Sequence, residues 1–172
     1  MNSSLSNIVT PLLNWYHRYA RTLPWRQSPS AYHIWVSEIM LQQTRVEAVK
    51  SYYNRFTAEL PTIADLAACQ EEKLLKLWEG LGYYNRVRNM QKAAIQIMAQ
   101  YHGEMPHSYE ELLKLPGIGS YTAGAVASIA YGIPVPAVDG NVLRVITRIT
   151  ANYGDITKQN TKDEITKQLQ TI

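Results

Sequence analysis

Leu115-Pro116-Gly117-Ile118-Gly119-Ser120-Tyr121-Thr122-Ala123-Gly124-Ala125, followed by Ala137-Val138-Asp139-Gly140-Asn141-Val142, is the stretch on which the fold of this chain turns. Leu112, Leu113 and Leu115 supply the apolar side of one helix, and Ala123, Val126, Ala127 and Ala130 begin another. The Gly-x-Gly turn reverses the chain between them. Glycine admits a ligand to the backbone with no Cβ in the way, and the free N–H groups that open a helix carry partial positive charge. Gly117 and Gly119 are therefore candidate phosphate-binding positions. Such a contact holds a nucleic acid without reading its sequence. A plain tight turn between two packed helices has the same pattern, so the hairpin alone leaves that alternative open.

Two carboxylates stand out around the hairpin. Asp139 follows an extended stretch with Pro134 and Pro136 and opens an amphipathic run through Val142, Val145, Ile146 and Ile149, which places it at a helix N-cap. Capping alone accounts for an aspartate there. Glu38 lies in Ile34-Trp35-Val36-Ser37-Glu38-Ile39-Met40-Leu41, where almost every neighbour is apolar. Burial disfavours a charged carboxylate and raises its pKa, which prepares a general acid. The competing reading puts Glu38 on the solvent side of an amphipathic helix.

Outward from these segments the chain reads as all-α. Leu5, Ile8, Val9, Leu12, Leu13, Tyr16 and Tyr19 mark a first helix, with Pro11 kinking it or setting its first turn. Ser30 to about Gln43 forms the helix with Glu38, and a third runs from Val46 to Phe56, ending before Pro61. Thr62 and Asp65 have N-cap spacing for a short helix, Glu71 to Trp78 suggests another stopped by Gly80, and Asn85 to Tyr101 is a long one closed by Gly103. Ser108 and Glu111 have capping-box spacing ahead of the hairpin, and Ser120 or Tyr121 opens the helix after it. No strand pattern competes, and no internal repeat is evident.

Composition sets wider bounds. The 172 residues, 46% of them hydrophobic, are enough for a domain-sized core. Apolar runs fall short of a membrane span, and Met1-Asn2-Ser3-Ser4 lacks the pattern of a signal peptide, so a soluble intracellular protein is expected. A single cysteine, Cys69, excludes an intramolecular disulfide. Net charge +3 and a pI near 8.9 are only mildly basic. Arginines interleave with aromatic and small residues in Tyr83-Tyr84-Asn85-Arg86-Val87-Arg88-Asn89, and Arg45, Arg144 and Arg148 add candidates for phosphate contact. Solvated helix faces explain most of these charges equally well.

Four blocks together resemble the helix-hairpin-helix superfamily of DNA glycosylases, and within it the adenine-specific mismatch glycosylases. They are Leu23-Pro24-Trp25-Arg26, Trp35 to Thr44, Trp78-Glu79-Gly80-Leu81-Gly82-Tyr83-Tyr84, and Val138-Asp139-Gly140-Asn141-Val142. The resemblance implies a fold of two helical lobes: a six-helix barrel with the hairpin over residues 26–132, and a second lobe from residues 1–25 and 133–172. It implies removal of adenine mispaired with 8-oxoguanine or guanine in double-stranded DNA, by a monomer in the bacterial cytoplasm, with activity at the nucleoid and no membrane contact.

Roles follow by resemblance, position by position. Glu38 matches the acid that protonates the flipped adenine at N7, and Asp139 the anion that stabilises the positive sugar. Asn141 matches an asparagine supporting that aspartate, Tyr121 a tyrosine facing the pocket, and Arg26 an arginine near the adenine. Gln43 resembles a residue that wedges into the duplex, and Tyr83 a second intercalator. In endonuclease III and other bifunctional members the position of Tyr121 carries a lysine, whose amine attacks the sugar. A phenol forms no imine, so a monofunctional enzyme is expected.

Full-length members continue into four cysteines that ligate a 4Fe-4S centre, and then into a domain for 8-oxoguanine. The chain stops inside the amphipathic run Lys162 to Leu169, so it is expected to be an N-terminal catalytic fragment that binds no cofactor or metal. Two alternatives stand beside this expectation: a helix-hairpin-helix DNA-binding module without catalysis, and a glycosylase/lyase of the endonuclease III type acting on oxidised pyrimidines.

Overall fold

The computed structural model describes residues 3–27 and 29–172; Met1 and Asn2, part of the stretch read above for a leader, lie outside them. Every regular element among the described residues is a helix: α1 Ser3–Tyr19, α2 Pro24–Gln27, α3 Ala31–Leu41, α4 Val46–Glu59, α5 Ile63–Ala68, α6 Glu71–Trp78, α7 Asn85–Gln100, α8 Tyr109–Leu112, α9 Ser120–Tyr131, α10 Gly140–Ile149 and α11 Gln159–Leu169. None is long and apolar enough to cross a membrane.

Local chemistry sets several of the boundaries. The Ser30 hydroxyl accepts the His33 N–H at 3.2 Å at the start of α3. At α5 the Thr62 hydroxyl accepts the Asp65 N–H while the Asp65 carboxylate accepts the Thr62 N–H, both at 3.1 Å, a complete capping box. At α8 only half of that device forms. Ser108 caps the Glu111 N–H at 3.1 Å, but the Glu111 carboxylate turns to the Tyr101 hydroxyl and to Lys114. Helix α7 closes with Gly103 at φ +84°, its N–H reaching the Ile97 carbonyl at 3.2 Å.

Burial divides into a large core and a small one. In the large core α3 packs against α9 and α4, and α5 lies along α7. Trp35, Val36 and Met40 of α3 have no solvent exposure, nor have Phe56, Trp78, Ala123 and Val126 around them. A helix enclosed this way is apolar on nearly every face, which is why its polar exceptions are informative. The small core joins Leu5 of α1 to Leu143 and Ile146 of α10 and Ile165 of α11. Leu23 and Trp25, just before the expected lobe boundary at 26, pack in the large one.

Three local features differ from the sequence expectations or add to them. Helix α2 was not anticipated: Pro24 presets its first turn, and Trp25 anchors it edge-on to Tyr53, with ring centroids 5.3 Å apart. Four residues are too few to show a period. The helix before the hairpin ends at Leu112, so Leu113 is exposed while Leu112 and Leu115 are buried; Pro116 biases Leu115 away from helical backbone and the chain unwinds into turns. In α1, Leu12, Leu13, Tyr16 and Tyr19 are exposed although they continue the stripe begun by Leu5. Periodicity identifies an apolar face, not a neighbour to cover it.

Candidate active site

Helices α2, α3 and α9 and the start of α10 enclose a cleft of about 790 Å³. Six of the residues singled out above line it: Arg26, Glu38, Gln43, Tyr121, Asp139 and Asn141. Trp25, Ile34, Leu41 and Ile129 contribute apolar wall.

Glu38 is the acidic residue of α3, half-buried between the fully enclosed Trp35 and Met40. Burial raises its pKa above the ordinary carboxylate range. Asp139 across the cleft adds to the rise, while the Tyr121 hydroxyl and the Arg26 cation oppose it. Tyr121, on the first turn of α9, has its own ionisation pushed up by burial and by the neighbouring Glu38, so it remains a neutral phenol. Arg26 leans over the Tyr16 ring at 5.5 Å, and one of its Nη1–H groups reaches the Arg21 carbonyl at 3.3 Å.

Asp139 caps α10. One carboxylate oxygen accepts the Val142 N–H at 2.8 Å, and the other accepts the Asn141 side-chain amide at 2.9 Å. Arg144 in turn donates to the Asn141 side-chain oxygen at 3.3 Å. The capping and the site readings of Asp139 are therefore compatible: the cap fixes the orientation of the carboxylate, and the cleft exposes it.

Asp139 arrives there by a close crossing that the sequence reading overlooked. The extended segment with Pro134 and Pro136 passes over α9 at buried Gly124. A Cβ on Gly124 would stand 2.7 Å from the Pro136 oxygen and 3.1 Å from the Ala137 Cα. Glycine in the middle of a helix is the signal that was available, since it is unfavourable there without a packing reason.

The hairpin glycines have different reasons. Leu115-Pro116-Gly117-Ile118 forms a turn closed by the Ile118 N–H on the Leu115 carbonyl at 3.2 Å, with Gly117 at φ +76°. A Cβ at 117 would also meet the Asn89 Cβ at 2.8 Å. Gly119 is extended, and a Cβ there would meet nothing. Nothing in the protein demands glycine at 119, and α9 starts without a side-chain cap.

Gln43 and Tyr83 both carry left-handed backbone, at φ +58° and +48°. Gln43 sits on the rim of the cleft. Tyr83 follows Gly82, is 68% exposed and lies outside the cleft lining. Two of the arginines proposed for phosphate contact are otherwise engaged: Arg86 turns inward to backbone carbonyls, and Arg88 pairs with Glu71 at 2.8 Å.

No group of three or more His, Cys, Asp or Glu among the described residues is placed to hold a metal ion. Cys69 alone cannot supply four thiolates, so the residues present do not fit an iron–sulfur centre, and no step below uses one. The cleft lining contains no lysine. It offers a carboxyl group biased toward its protonated form, a phenol that hydrogen-bonds to it, and a second carboxyl group held by a helix cap.

A human adenine DNA glycosylase is 46% identical over 153 residues, which cover 84% of this chain and 28% of that protein. The chain spans less than half the length of the curated relatives it matches. A solved thermostable thymine-DNA glycosylase superposes with a TM-score of 0.86 at 25% identity, over 99% of this chain and 78% of that one. A trapped endonuclease III–DNA covalent intermediate superposes at 0.83 with 26% identity, over 100% and 78%. Residues 36–171 match the HhH-GPD superfamily of base excision DNA repair proteins. With its helical fold, its hairpin and this match over most of its length, the chain belongs to the HhH-GPD superfamily.

Proposed function

We propose that this chain carries the catalytic cleft of an adenine DNA glycosylase, which hydrolyses the N-glycosidic bond of adenine set against 8-oxoguanine or guanine in duplex DNA. The choice of adenine rests on the relatives that carry that activity in their names. The observation that carries the mechanism is the facing of Glu38 and Asp139 across one cleft, the first biased toward its protonated form by burial and the second held by a helix cap.

Breaking the bond between adenine N9 and the sugar C1′ leaves positive charge on the sugar and negative charge on the base. One proton donor on the base side and one anion on the sugar side lower the barrier from both ends. Glu38 delivers its proton to N7, and the bonding electrons leave with the base. Asp139, oriented by Val142 and Asn141, stabilises the cationic sugar until water adds at C1′ and its released proton returns the Glu38 carboxylate to the acid. Tyr121 holds Glu38 in place as a neutral phenol. With no amine in the cleft lining, the reaction ends at an abasic site without a Schiff base.

The target atom is inaccessible inside a duplex, so the base must leave the stack, at a cost of roughly a few kcal/mol. Gln43 and Tyr83 fill the space left behind, their amide and phenol groups hydrogen-bonding what remains. Gly117, Gly119 and the uncapped start of α9 take a backbone phosphate.

The test is adenine release from an 8-oxoguanine:adenine duplex by this chain and by Glu38→Gln. The amide should cost about 100-fold or more in single-turnover rate while duplex binding stays within a few-fold. Equal rates would remove Glu38 from the mechanism.

A further inference from the structure

The Arg86 guanidinium lies where the two exposed loops bearing Gln43 and Tyr83 come together. Its Nη1 donates to the carbonyls of Ile39, Met40 and Gln42 at 2.8, 3.3 and 2.6 Å. Its Nη2 donates to those of Leu81 and Gly82 at 3.0 and 3.2 Å. The cation also lies 5.4 Å from the centroid of the fully buried Trp78 ring and 5.7 Å from that of Tyr83. The first three carbonyls belong to the open end of α3, where no backbone donor remains and the helix dipole is negative. The other two immediately precede Tyr83. A planar guanidinium serves both sets at once, which a lysine cannot do.

The residue after each carbonyl set is Gln43 or Tyr83, and both are in left-handed backbone without being glycine. Side chains with a Cβ persist in that region only where the surroundings fix them, and such positions cluster at functional sites. We infer that Arg86 is a positioning residue for DNA: one side chain clamps the loops of Gln43 and Tyr83 into a single rigid unit, so that both enter the base stack at a fixed spacing. Arg86 touches neither the base nor the sugar and acts through those two side chains. The inference rests on the reading of Gln43 and Tyr83 as stack-filling groups.

A cap that merely stabilised α3 would weaken the protein whether or not the two side chains were present. Arg86→Lys is therefore compared in two backgrounds, the parent chain and Gln43→Ala/Tyr83→Ala. The quantity read is the ratio of Kd for a fully paired duplex to Kd for one with an 8-oxoguanine:adenine pair. Arg86→Lys should lower that ratio about tenfold in the parent, and by less than about twofold when the two side chains are already gone. In DNA-free protein, amide hydrogen exchange should rise at residues 42–44 and 82–84 while the amides of α7 and α9 keep their protection. If the lysine variant does not fold, Arg86→Gln, which keeps two N–H donors, repeats both measurements. Equal losses in the two backgrounds, or exchange raised throughout the large core, would overturn the inference. A parent that discriminates and an Arg86 variant that discriminates equally well would overturn it alone. A parent with no preference for the mismatched duplex would overturn the functional reading, and this inference with it.

Discussion

Gly124→Ala tests whether the placement of Asp139 depends on the crossing over α9. The added methyl would sit 2.7 Å from the Pro136 oxygen, whereas ordinary contact begins at 3.4 Å, so backbone must move by about 0.7 Å. Both sides of the clash are main chain, and no side chain can rotate away. Overpacking of this kind costs roughly 1–3 kcal/mol, while alanine in place of glycine inside a helix returns about 1 kcal/mol. Net destabilisation of about 0–2 kcal/mol leaves the protein folded. The displacement falls on the segment that ends in Asp139, three residues after Pro136, and an error approaching 1 Å in a catalytic group costs up to about 100-fold. Single-turnover adenine release should therefore fall by about 10–100-fold, with duplex affinity changed by less than about threefold. A variant that cleaves at the parental rate would show that the close approach does not set the position of the carboxylate. A variant whose rate loss merely tracks its lost stability would refute the geometric reasoning too.

The remaining expectations concern the acid and the scaffold. Glu38 works as an acid only while protonated, so the rate should fall as pH rises through its raised pKa. Tyr121→Phe removes a group that favours the carboxylate, so the falling limb of the pH–rate profile should move to higher pH; a limb that stays put or moves down would separate Tyr121 from Glu38. Thr62→Ala breaks the capping box of α5, far along the chain from the cleft residues, and should cost about 1 kcal/mol, or roughly 2–4 °C in Tm. Adenine release at a temperature well below the transition should be unchanged, and a changed rate would link α5 to the site.

Most of the helical order was legible in the sequence because it depends on local signals, whereas the residues that meet in the cleft were picked out largely by resemblance to known glycosylases. Ser30, Thr62, Ser108 and Asp139 mark helix starts by a side-chain acceptor that a reader can see, and each caps its helix. Glu38 drew notice by being ionisable in an apolar run, and its burial is what shifts it. The overlooked features depend on what crosses what. Gly124 looks like an unfavourable helix residue until the Pro136 backbone is laid against it. Arg86 reads as one more exposed cation in a basic stretch, and only the fold brings the end of α3 within reach of its guanidinium. The exposure of Leu12 and Leu13 likewise follows from tertiary neighbours, which no period records.

Under the proposed reaction the fold gives the same functional group, at Glu38 and at Asp139, opposite tasks. Glu38 projects from an enclosed helix, where there is little water to solvate its charge and the negative Asp139 opposes ionisation further. Asp139 ends an extended segment at a helix start, where an N–H and an amide are already turned toward its oxygens. Exchanging the two residue types would not exchange the proposed roles, because these belong to the positions: on α3 burial outweighs the Tyr121 hydroxyl, and the start of α10 supplies a backbone N–H and an amide. The long separation of the pair along the chain follows from the same fact. One short element cannot be both an enclosed helix interior and an open helix end, so the acid and the anion come from different elements, and the crossing at Gly124 brings them to one cleft.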